Sequence, residues 1–402
     1  MGRVYVVGTA DTKREELDYV REKIARAGHA AALVDVGIGP TTGVDIPNHV
    51  IAKSHPEGEE FVFSRQTRGE ALDAMGLALT RYLSQQNDID GVIGIGGSGN
   101  TGMVTRAMRS LPVGLPKVMV STIASGDVST YVGSSDINMI SSITDIAGLN
   151  RINRLILGNA ATAIAAMAAN PVCQTPSERP EIGLTQFGVT TPCIDGVRAH
   201  LSREFDCISF HATGTGGRAM EQLVASGLIE GVLDLTTTEI ADHIVGGVLS
   251  AGEERLNAVR DTGVPCVLSL GALDVVNFWS RESVPPQFAE RTFHKHNPEV
   301  TLMRTSDEEC EKIGRWIGGK LNSCRGHVKV LAPMNGFSAL DIDGGPFWDP
   351  AADQTLVEAL ASEIAKTSNV ELIKFNLHIN DKEFALRAAN LMREMVFQSR
   401  IQ

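Results

Sequence analysis

Apolar segments and amphipathic segments alternate along most of the chain. The apolar run Val4–Val7 predicts a buried strand, and in the segment that follows it Leu17, Val20 and Ile24 recur at helical spacing. A short stretch of Gly, Thr and Asp residues separates the two. The same order recurs downstream, with apolar runs at 31–36, 91–95 and 118–121 and helical patterns at 71–83 and 103–111. Strands that alternate with helices predict right-handed crossovers and a largely parallel sheet.

The second half of the chain repeats this pattern. Segment 182–187 matches 4–7, segment 229–235 matches 89–95, and segment 264–269 matches 115–120. The halves differ mainly by an insertion in the first, Pro40–Arg68. The pattern therefore predicts an α/β protein of two similar Rossmann-like lobes with mostly parallel sheets. We expect the N-terminal lobe at 1–170 and the C-terminal lobe at 180–402.

Two further features complete the predicted architecture. A long helical stretch, Ile146–Ala169, joins the lobes, and a polar, proline-rich linker follows it at 174–180. The tail adds two strand–helix units, one with its strand at Val328–Leu331 and one with its strand at Glu371–Leu377. We expect these C-terminal units, whose helices are predicted at 354–366 and 382–396, to extend one of the sheets.

Composition narrows the possible classes of protein. The chain has 402 residues, of which 48 are acidic and 36 basic, so its formal net charge is −12. An acidic chain without a long basic run is a poor candidate for binding nucleic acid. Its longest small-apolar run, Ala160–Ala169, falls short of a membrane span and predicts a buried helix. Without a predicted signal peptide or a CxxC pair, we expect a cytoplasmic protein with neither a nucleic-acid nor a membrane partner.

Glycine is over-represented, and its densest cluster is Gly94–Gly102, with the sequence GIGGSGNTG. The cluster follows a predicted strand and opens a predicted helix, where unpaired backbone N–H groups and the helix dipole favour an anion. Glycines allow a phosphate to approach the backbone and permit positive φ, while Ser98, Asn100 and Thr101 add donors. It is not a Walker loop or a strict GxGxxG motif. The alternative is a tight turn that needs glycine only for packing, and we favour anion binding.

Two other loops follow strands of the same lobe. One, Gly8–Lys13, carries hydroxyl groups, a carboxylate and an ammonium group, and the other, Ser121–Asp127, carries more hydroxyl groups and a second carboxylate. In a parallel sheet the carboxyl ends of the strands face one way, so these loops and the glycine cluster converge on one crevice. Asp11 or Asp127 is a candidate ligand for Mg²⁺ beside a nucleotide, and the alternative for each is an N-cap.

The corresponding loops of the second lobe contain more titratable groups. His211, Arg218, Glu239 and Asp274 are candidates for binding an acidic substrate or transferring a proton. Glu239 and His243 are four residues apart on a predicted helix, a spacing that permits a metal pair but equally fits a solvated or capping role. Further titratable residues lie in loops of the tail, namely Asp341, Asp343, His378 and Asp381.

Taken together, these segments resemble the Tm-one-like ATP-binding family, which is named after a tomato protein region that inhibits tobamovirus replication. The strings that carry the resemblance include HATGTGGRAME at 211–221, DLTTTEIAD at 234–242 and GTADTK at 8–13. GALD at 271–274, SALD at 338–341 and HIND at 378–381 also match, so the resemblance spans nearly the whole chain. Asn100 departs from it, because many relatives are expected to have glycine there, and its side chain would narrow the loop or add a donor.

The resemblance implies two Rossmann-like subdomains, self-association into a homodimer or higher homo-oligomer, and ATP bound by the N-terminal lobe, with Mg²⁺ as a candidate ion. We expect a second, small anionic metabolite between the lobes, contacted by the four candidate catalytic residues. The predicted nucleotide-binding residues are Thr9, Asp11, Thr12, Gly96, Gly97, Ser98, Gly99, Asn100, Thr101, Thr122, Ser125, Gly126 and Asp127.

Three functional classes remain open at this point. The first is an enzyme that uses ATP on a small acid, such as a kinase or ligase. The second is a nucleotide-gated binding or regulatory module without turnover. The third is a nucleotide-independent sugar-acid lyase or isomerase whose glycine cluster binds a substrate phosphate or carboxylate. The titratable groups of the second lobe favour an enzyme, and the missing Walker lysine argues against a fast P-loop ATPase.

Overall fold

The structure is a computed structural model that describes residues 2–172, 179–364 and 369–400. The chain divides near residue 175 into two compact units. Most of the predicted linker at 174–180, and the end of the helix predicted at 354–366, lie outside the described residues.

The first unit contains five parallel strands in the order β2-β1-β3-β4-β5. Val4 and Val6 face one side of the sheet and Tyr5 and Val7 the other, as the two-residue period of a strand requires. Helices α1 and α7 cover the first side, and α4 and α5 the second. The elements are β1 (Arg3–Gly8), α1 (Arg14–Arg26), β2 (Ala31–Asp35), α2 (Asn48–Ala52), α3 (Glu59–Phe63), α4 (Arg68–Ser84), β3 (Ile89–Gly96), α5 (Ser98–Arg109), β4 (Lys117–Ser121), α6 (Ser129–Val132), β5 (Asn138–Ser141) and α7 (Arg151–Ala169).

Helix α7 begins five residues later than the pattern predicted. Asn150 forms a capping box with Asn153, so the backbone before it is not helical. The helix is long and apolar enough to cross a membrane by length and composition alone. Leu157, Ala161 and Ile164 nevertheless pack against the sheet with at most 1% of their surface exposed. Burial of this face therefore accounts for part of the apolar composition of the helix, whereas Ile152 and Leu155 are exposed at 49% and 63%.

The second unit repeats the strand order of the first and extends it. Its six parallel strands lie in the order β14-β13-β9-β8-β6-β7, so β6 to β9 correspond to β1 to β4 and the two tail strands are added at one edge, as expected. Its elements are β6 (Glu181–Gln186), α8 (Thr191–Leu201), β7 (Asp206–His211), α9 (Thr215–Ala225), β8 (Gly231–Thr236), α10 (Thr238–Val245), α11 (Asn257–Thr262), β9 (Cys266–Gly271), β10 (Val275–Phe278), β11 (Phe293–Asn297), β12 (Val300–Arg304), α12 (Asp307–Leu321), β13 (Val328–Pro333), α13 (Pro350–Ile364), β14 (Val370–Phe375) and α14 (Lys382–Ser399).

One part of this unit was not predicted. Strands β10, β12 and β11 form a separate antiparallel sheet between β9 and α12. Helix α12 begins at a capping box formed by Ser306 and Glu309 and packs against α13. The predicted α/β class is confirmed, and the antiparallel sheet is an addition to it.

Candidate functional site

The strand order of the first sheet places a crevice at the carboxyl ends of β1 and β3. Successive connections run to opposite sides of this strand pair, and doubly wound sheets bind ligands at such a switch point. The loop from β1 to α1 and the junction of β3 with α5 both open into the crevice. Two of the three loops expected to converge therefore meet at the place where the topology favours a ligand.

The glycine cluster is not a loop. Strand β3 continues through Gly96 and α5 begins at Ser98, so Gly97 alone separates them. No glycine of the cluster has positive φ, which corrects the expectation that the cluster needs left-handed backbone. A Cβ at Gly94 would lie 2.5 Å from Met119 Sδ, and one at Gly96 would lie 2.7 Å from Asn100 Cβ. These two glycines are required by close packing, which was the alternative explanation.

The amino end of α5 is open, because no side chain caps it. In the same unit α4 and α7 have capping boxes, whereas α1, like α5, has no side-chain cap. Ser98 and Gly99 are exposed, and the first helical hydrogen bond is from Thr101 N to Gly97 O at 2.9 Å. The N–H groups of residues 98–100 therefore remain as donors for an anion.

Asn100 and Thr101 point away from this open end. The Asn100 side chain is buried and donates to Ile95 O at 2.6 Å, which ties the first turn of α5 to β3. The Thr101 hydroxyl donates to Gly97 O at 2.9 Å and lies 2.6 Å from Ser121 Oγ. Both side chains are thus used to fix the helix start. At these two positions only the backbone is available to a ligand, so the side chain of Asn100 neither narrows the site nor donates to it.

The loop after β1 is fixed by a carboxylate that the sequence did not single out. Asp35, at the end of β2, is fully buried and accepts from Ala10 N at 2.9 Å and from Gly37 N at 2.8 Å. The other carboxylate oxygen, Oδ2, accepts a hydrogen bond from the Thr41 hydroxyl. Asp35 therefore holds the predicted nucleotide-binding loop against the segment that follows β2.

Next to this loop lies a cavity of about 390 Å³. Its near wall is formed by Thr9, Asp11 and Thr12, and its far wall by the insertion and the first turn of α4. Leu72 joins the cavity to the glycine cluster, because its Cδ1 lies 3.0 Å from where a Cβ on Gly99 would be. The remaining lining residues are Ile38, Val62, Phe63, Arg65, Gln66, Thr67, Arg68 and Ala71. The two arginines were not predicted.

The loop after β4 is only partly available. Thr122 lies beside Gly97, since its Oγ1 is 3.6 Å from the position of a Cβ there. Ser125, Gly126 and Asp127 are exposed. Asp127 accepts from Ser129 N at 2.9 Å, and this hydrogen bond lowers the pKa of its carboxyl group. Asp127 therefore binds the backbone at the start of α6, although Val128 and not Asp127 is the N-cap residue. Asp11 is also exposed and accepts from Gly39 N at 3.3 Å, and of the two carboxylates it is the one that lines the cavity.

In the second unit Glu239 occupies an anion site made by the chain itself. Its carboxylate is fully buried and accepts from Gly214 N at 2.6 Å and from Gly217 N at 3.0 Å, at the amino end of α9. A Cβ on Gly217 would lie 2.0 Å from Glu239 Oε2, so only glycine permits this approach. The place that an external anion would take beside this glycine motif is therefore filled.

Arg255, which the sequence did not single out, holds Glu239 from the other side. Its buried guanidinium contacts Glu239 at 3.1 Å, Asp234 at 2.7 Å and Glu221 at 3.1 Å. Burial raises the pKa of Glu221, although Arg255 opposes this effect. The three carboxylates come from α9, β8 and α10, so one cation ties these elements together. This role is structural.

The four candidate catalytic residues are not linked to one another by a hydrogen bond or an ion pair. Asp274 is fully buried and accepts from Ser338 Oγ at 2.6 Å. His211 is exposed with its ring edge-on to Phe187, and Arg218 is exposed and donates to Ser250 O at 2.9 Å. His243 pairs with Glu253 instead of Glu239, and no group of three His, Cys, Asp or Glu side chains within the described residues could hold a metal ion.

These features define a class: an α/β protein of two doubly wound units, with an open, anion-favouring crevice in the first. The chain belongs to the Uncharacterised protein family (UPF0261), whose N-terminal domain model matches residues 2–172 and whose C-terminal domain model matches residues 179–396. A UPF0261 protein of Rhizobium meliloti is 54% identical over 396 residues, which cover 98% of this chain and 99% of that protein.

The resemblance to the tomato protein is also confirmed. The ToMV resistance protein Tm-1(GCR237) of Solanum lycopersicum is 39% identical over 424 aligned residues, which cover 99% of this chain and 56% of that protein. Among solved structures, UDP-N-acetylglucosamine 2-epimerase from Rickettsia bellii matches with a TM-score of 0.24 and 10% identity over 99% of this chain and 96% of that chain. Values this low carry no argument about activity.

Proposed function

We propose that this protein binds ATP in the crevice of its first unit. The observation that supports this most directly is the uncapped amino end of α5, which opens beside a cavity at the switch point of the sheet. Unpaired N–H groups and the helix dipole both favour a phosphate there. The chain carries a net charge of −12, so attraction of a nucleotide depends on these local donors.

The side chains that line the crevice can provide further contacts to a bound ATP and its Mg²⁺ ion. Thr9 and Thr12 line the cavity with hydroxyl groups, and Asp11 adds an exposed carboxylate. Mg²⁺ in nucleotide sites is commonly held by one or two carboxylates together with the phosphates. Asp11 would supply such a ligand, and the resulting ion would neutralise part of the phosphate charge.

Calorimetric titration of the purified protein with ATP and Mg²⁺ tests the proposal. A valine at Gly97 is the sharpest variant, because a Cβ there meets only Thr122 Oγ1 at 3.6 Å and the backbone is already extended. We expect Gly97→Val to weaken ATP binding at least about a hundredfold by covering the open N–H groups, a loss of about 2.7 kcal/mol or more. The thermal melting temperature should change little.

Gly102→Ala is the matched control. It changes a glycine of the same helix one turn further on, where a Cβ would lie 3.8 Å from Tyr131 Cε1. We expect unchanged ATP affinity. No heat of binding in the wild-type protein would refute the proposed function, and equal affinity of Gly97→Val and wild type would refute the assignment of the phosphates to α5.

A nucleotide-gated binding module is the second candidate, and one observation favours it over a kinase or ligase. Glu239 and Asp274, the carboxylates expected to act in catalysis, are both fully buried and hydrogen-bonded within the second unit. Release of ADP or AMP from ATP in a screen of small carboxylic acids would identify an enzyme. ATP binding without such release would support the module.

A further inference from the structure

The loop between α10 and α11 brings a serine, a histidine and a glutamate of the second unit together. His243 lies in the last turn of α10, and Ser250 and Glu253 follow in the loop. Ser250 Oγ lies 3.4 Å from His243 Nδ1, and His243 Nε2 lies 2.9 Å from Glu253 Oε2. One ring nitrogen of the histidine therefore faces a hydroxyl group and the other a carboxylate. A nucleophile, its base and a group that orients the base have this arrangement.

Glu253 determines which ring nitrogen of His243 carries the hydrogen. The hydrogen bond with His243 lowers the pKa of the Glu253 carboxyl group, which is therefore ionised at neutral pH and can only accept. In the neutral imidazole the hydrogen is then on Nε2, and the lone pair of Nδ1 is available to the Ser250 hydroxyl. The imidazole is thus in the tautomer that can accept a proton from Ser250.

Two further groups contact Ser250 and favour negative charge there. Gly252 N donates to Ser250 Oγ at 3.0 Å, and a donor at this oxygen stabilises an alkoxide relative to the hydroxyl. The exposed Arg218 donates from Nη1 to Ser250 O at 2.9 Å. Its guanidinium therefore brings a positive charge to the serine, where the oxyanion of a tetrahedral intermediate needs stabilisation.

Helix α12 supports the histidine and the glutamate from another side. The ring centroids of Trp316 and His243 are 5.8 Å apart, and Lys320 Nζ lies 5.1 Å from the centroid of the Trp316 ring. Lys320 Nζ also lies 3.5 Å from Glu253 Oε1. The His243 side chain is 25% exposed and Ser250 is half-buried, so the pair is held in place and still open to a small molecule.

We propose that Ser250 is a nucleophile with which the second unit hydrolyses small carboxylic esters. Ser250 Oγ forms a bond to the carbonyl carbon of the ester while its proton passes to His243 Nδ1. The tetrahedral intermediate then breaks its bond to the alcohol oxygen, and the alcohol leaves with the proton from Nδ1. A water molecule attacks the acyl-serine in the same way, which releases the carboxylic acid and restores both side chains. The reaction needs no nucleotide, so it does not depend on the proposed function.

Hydrolysis of para-nitrophenyl acetate by the full-length protein, followed through the release of para-nitrophenolate, tests the inference. Ser250→Ala and His243→Gln should each lower kcat/KM at least about a hundredfold, because they remove the nucleophile and its base. Glu253 is a positioning residue, and Glu253→Ala should lower kcat/KM about tenfold or more. Glu253→Gln should recover part of this loss, since its amide oxygen can still accept from Nε2 and keep the tautomer.

An alkyl fluorophosphonate gives a second measurement that does not depend on turnover. Ser250 Oγ displaces fluoride from phosphorus, so an oxygen–phosphorus bond forms, the phosphorus–fluorine bond breaks and the proton passes to His243. Mass spectrometry of peptides should find the label on Ser250 in wild type and not in His243→Gln.

Ser283→Ala is the matched control, because the hydroxyl of this exposed serine donates to Ser280 O at 2.8 Å and does not face a histidine. It should hydrolyse the ester as wild type does. Thermal melting checks the fold of every variant, and the label on wild type decides where a variant melts early. If wild type is no faster than Ser250→Ala, or takes no label at Ser250, the inference is overturned while the proposed function stands.

Discussion

Asp274, Asp341 and Asp353 lie buried in the second unit with one guanidinium, that of Arg304, among them. Arg304 contacts Asp353 at 2.6 Å, and one oxygen of Asp274 and one of Asp341 have no hydrogen-bond partner. Burial and the neighbouring Asp341 raise the pKa of Asp274 to about 7 and that of Asp353 to about 9. Elsewhere in the unit burial raises the pKa of Asp242 to about 7. At pH values between about 4, the ordinary pKa of an aspartate, and these raised values, the carboxyl groups are protonated in the folded protein and ionised in the unfolded chain.

We therefore predict that the free energy of unfolding of the second unit falls as pH rises. A raised folded-state pKa means that the native state binds more protons than the unfolded state, so stability decreases with pH. The loss begins above pH 4, ends near pH 7 for Asp274 and Asp242, and continues to about pH 9 for Asp353. Urea unfolding between pH 5 and 9.5 should show a fall on the order of a few kcal/mol.

Asp341→Asn tests the cause of the loss of stability above pH 7. The amide oxygen can still accept from Phe337 N, which now donates to Asp341 Oδ2 at 2.8 Å, but the charge beside Asp353 is removed. The pKa of Asp353 should fall, and the loss of stability between pH 7 and 9 should become smaller. A pH profile that is flat in wild type, or unchanged in this variant, would contradict the buried arrangement.

At the scale of elements, the tail segment before α14 closes the end of β6 in the second unit. Asn380 donates to Val189 O at 3.0 Å and accepts from Cys193 N at 3.3 Å, while Ala339 N, in the loop after β13, donates to the same Val189 O at 2.9 Å. The loop that corresponds to the nucleotide-binding loop of the first unit is thus covered by tail residues. The two units share a strand order but do not share an open crevice.

This closure predicts a structural role for Asn380. Asn380→Ala leaves a backbone carbonyl and a backbone N–H with fewer partners, so we expect the free energy of unfolding to fall by about 1–3 kcal/mol. Nucleotide binding by the first unit should be unchanged. Gln354→Ala, which removes an exposed hydrogen bond to Glu358, is the control and should cost less than about 0.5 kcal/mol in urea unfolding. Equal stability of the two variants would contradict this role.

The elements differ in how far the sequence predicts them. Parallel strands with apolar runs, such as β1 and β3, were placed within one or two residues, because burial on both faces leaves a strong pattern. Helix α12 was missed although Ser306 and Glu309 have the spacing of a capping box. In the antiparallel sheet β11 has no comparable signal, since it is short and largely polar and depends on pairing with β12.

Site residues, like helices and strands, were predictable only where the local sequence contains a signal. The start of α5 was predictable because glycines and small polar residues after a strand are a local signal. Asp35 and Arg255 were not. Asp35 lies in the apolar run at 31–36, which predicts a buried strand but not that its carboxylate accepts from Ala10 N. The carboxylates that pair with Arg255 come from elements distant in the sequence. The two arginines that line the cavity, Arg65 and Arg68, were not predicted either, because only the fold places them across the cavity from Thr9.

At the scale of the whole molecule, each unit has its own sheet and its own apolar core on both faces of that sheet. All the residues assigned here to the nucleotide belong to the first unit: the β1 loop and the start of α5. We therefore predict that a fragment of residues 1–175 folds alone and binds ATP with a Kd within about twofold of that of the full chain, the tolerance expected for independent sites.

Circular dichroism checks folding of this fragment, and calorimetry under identical conditions compares its affinity for ATP. The fragment 176–402 is the control and should give no heat with ATP, because its Gly214–Gly217 amides are already taken by Glu239. A folded first fragment that binds ATP more than about tenfold more weakly than the full chain would show that the second unit supplies part of the site.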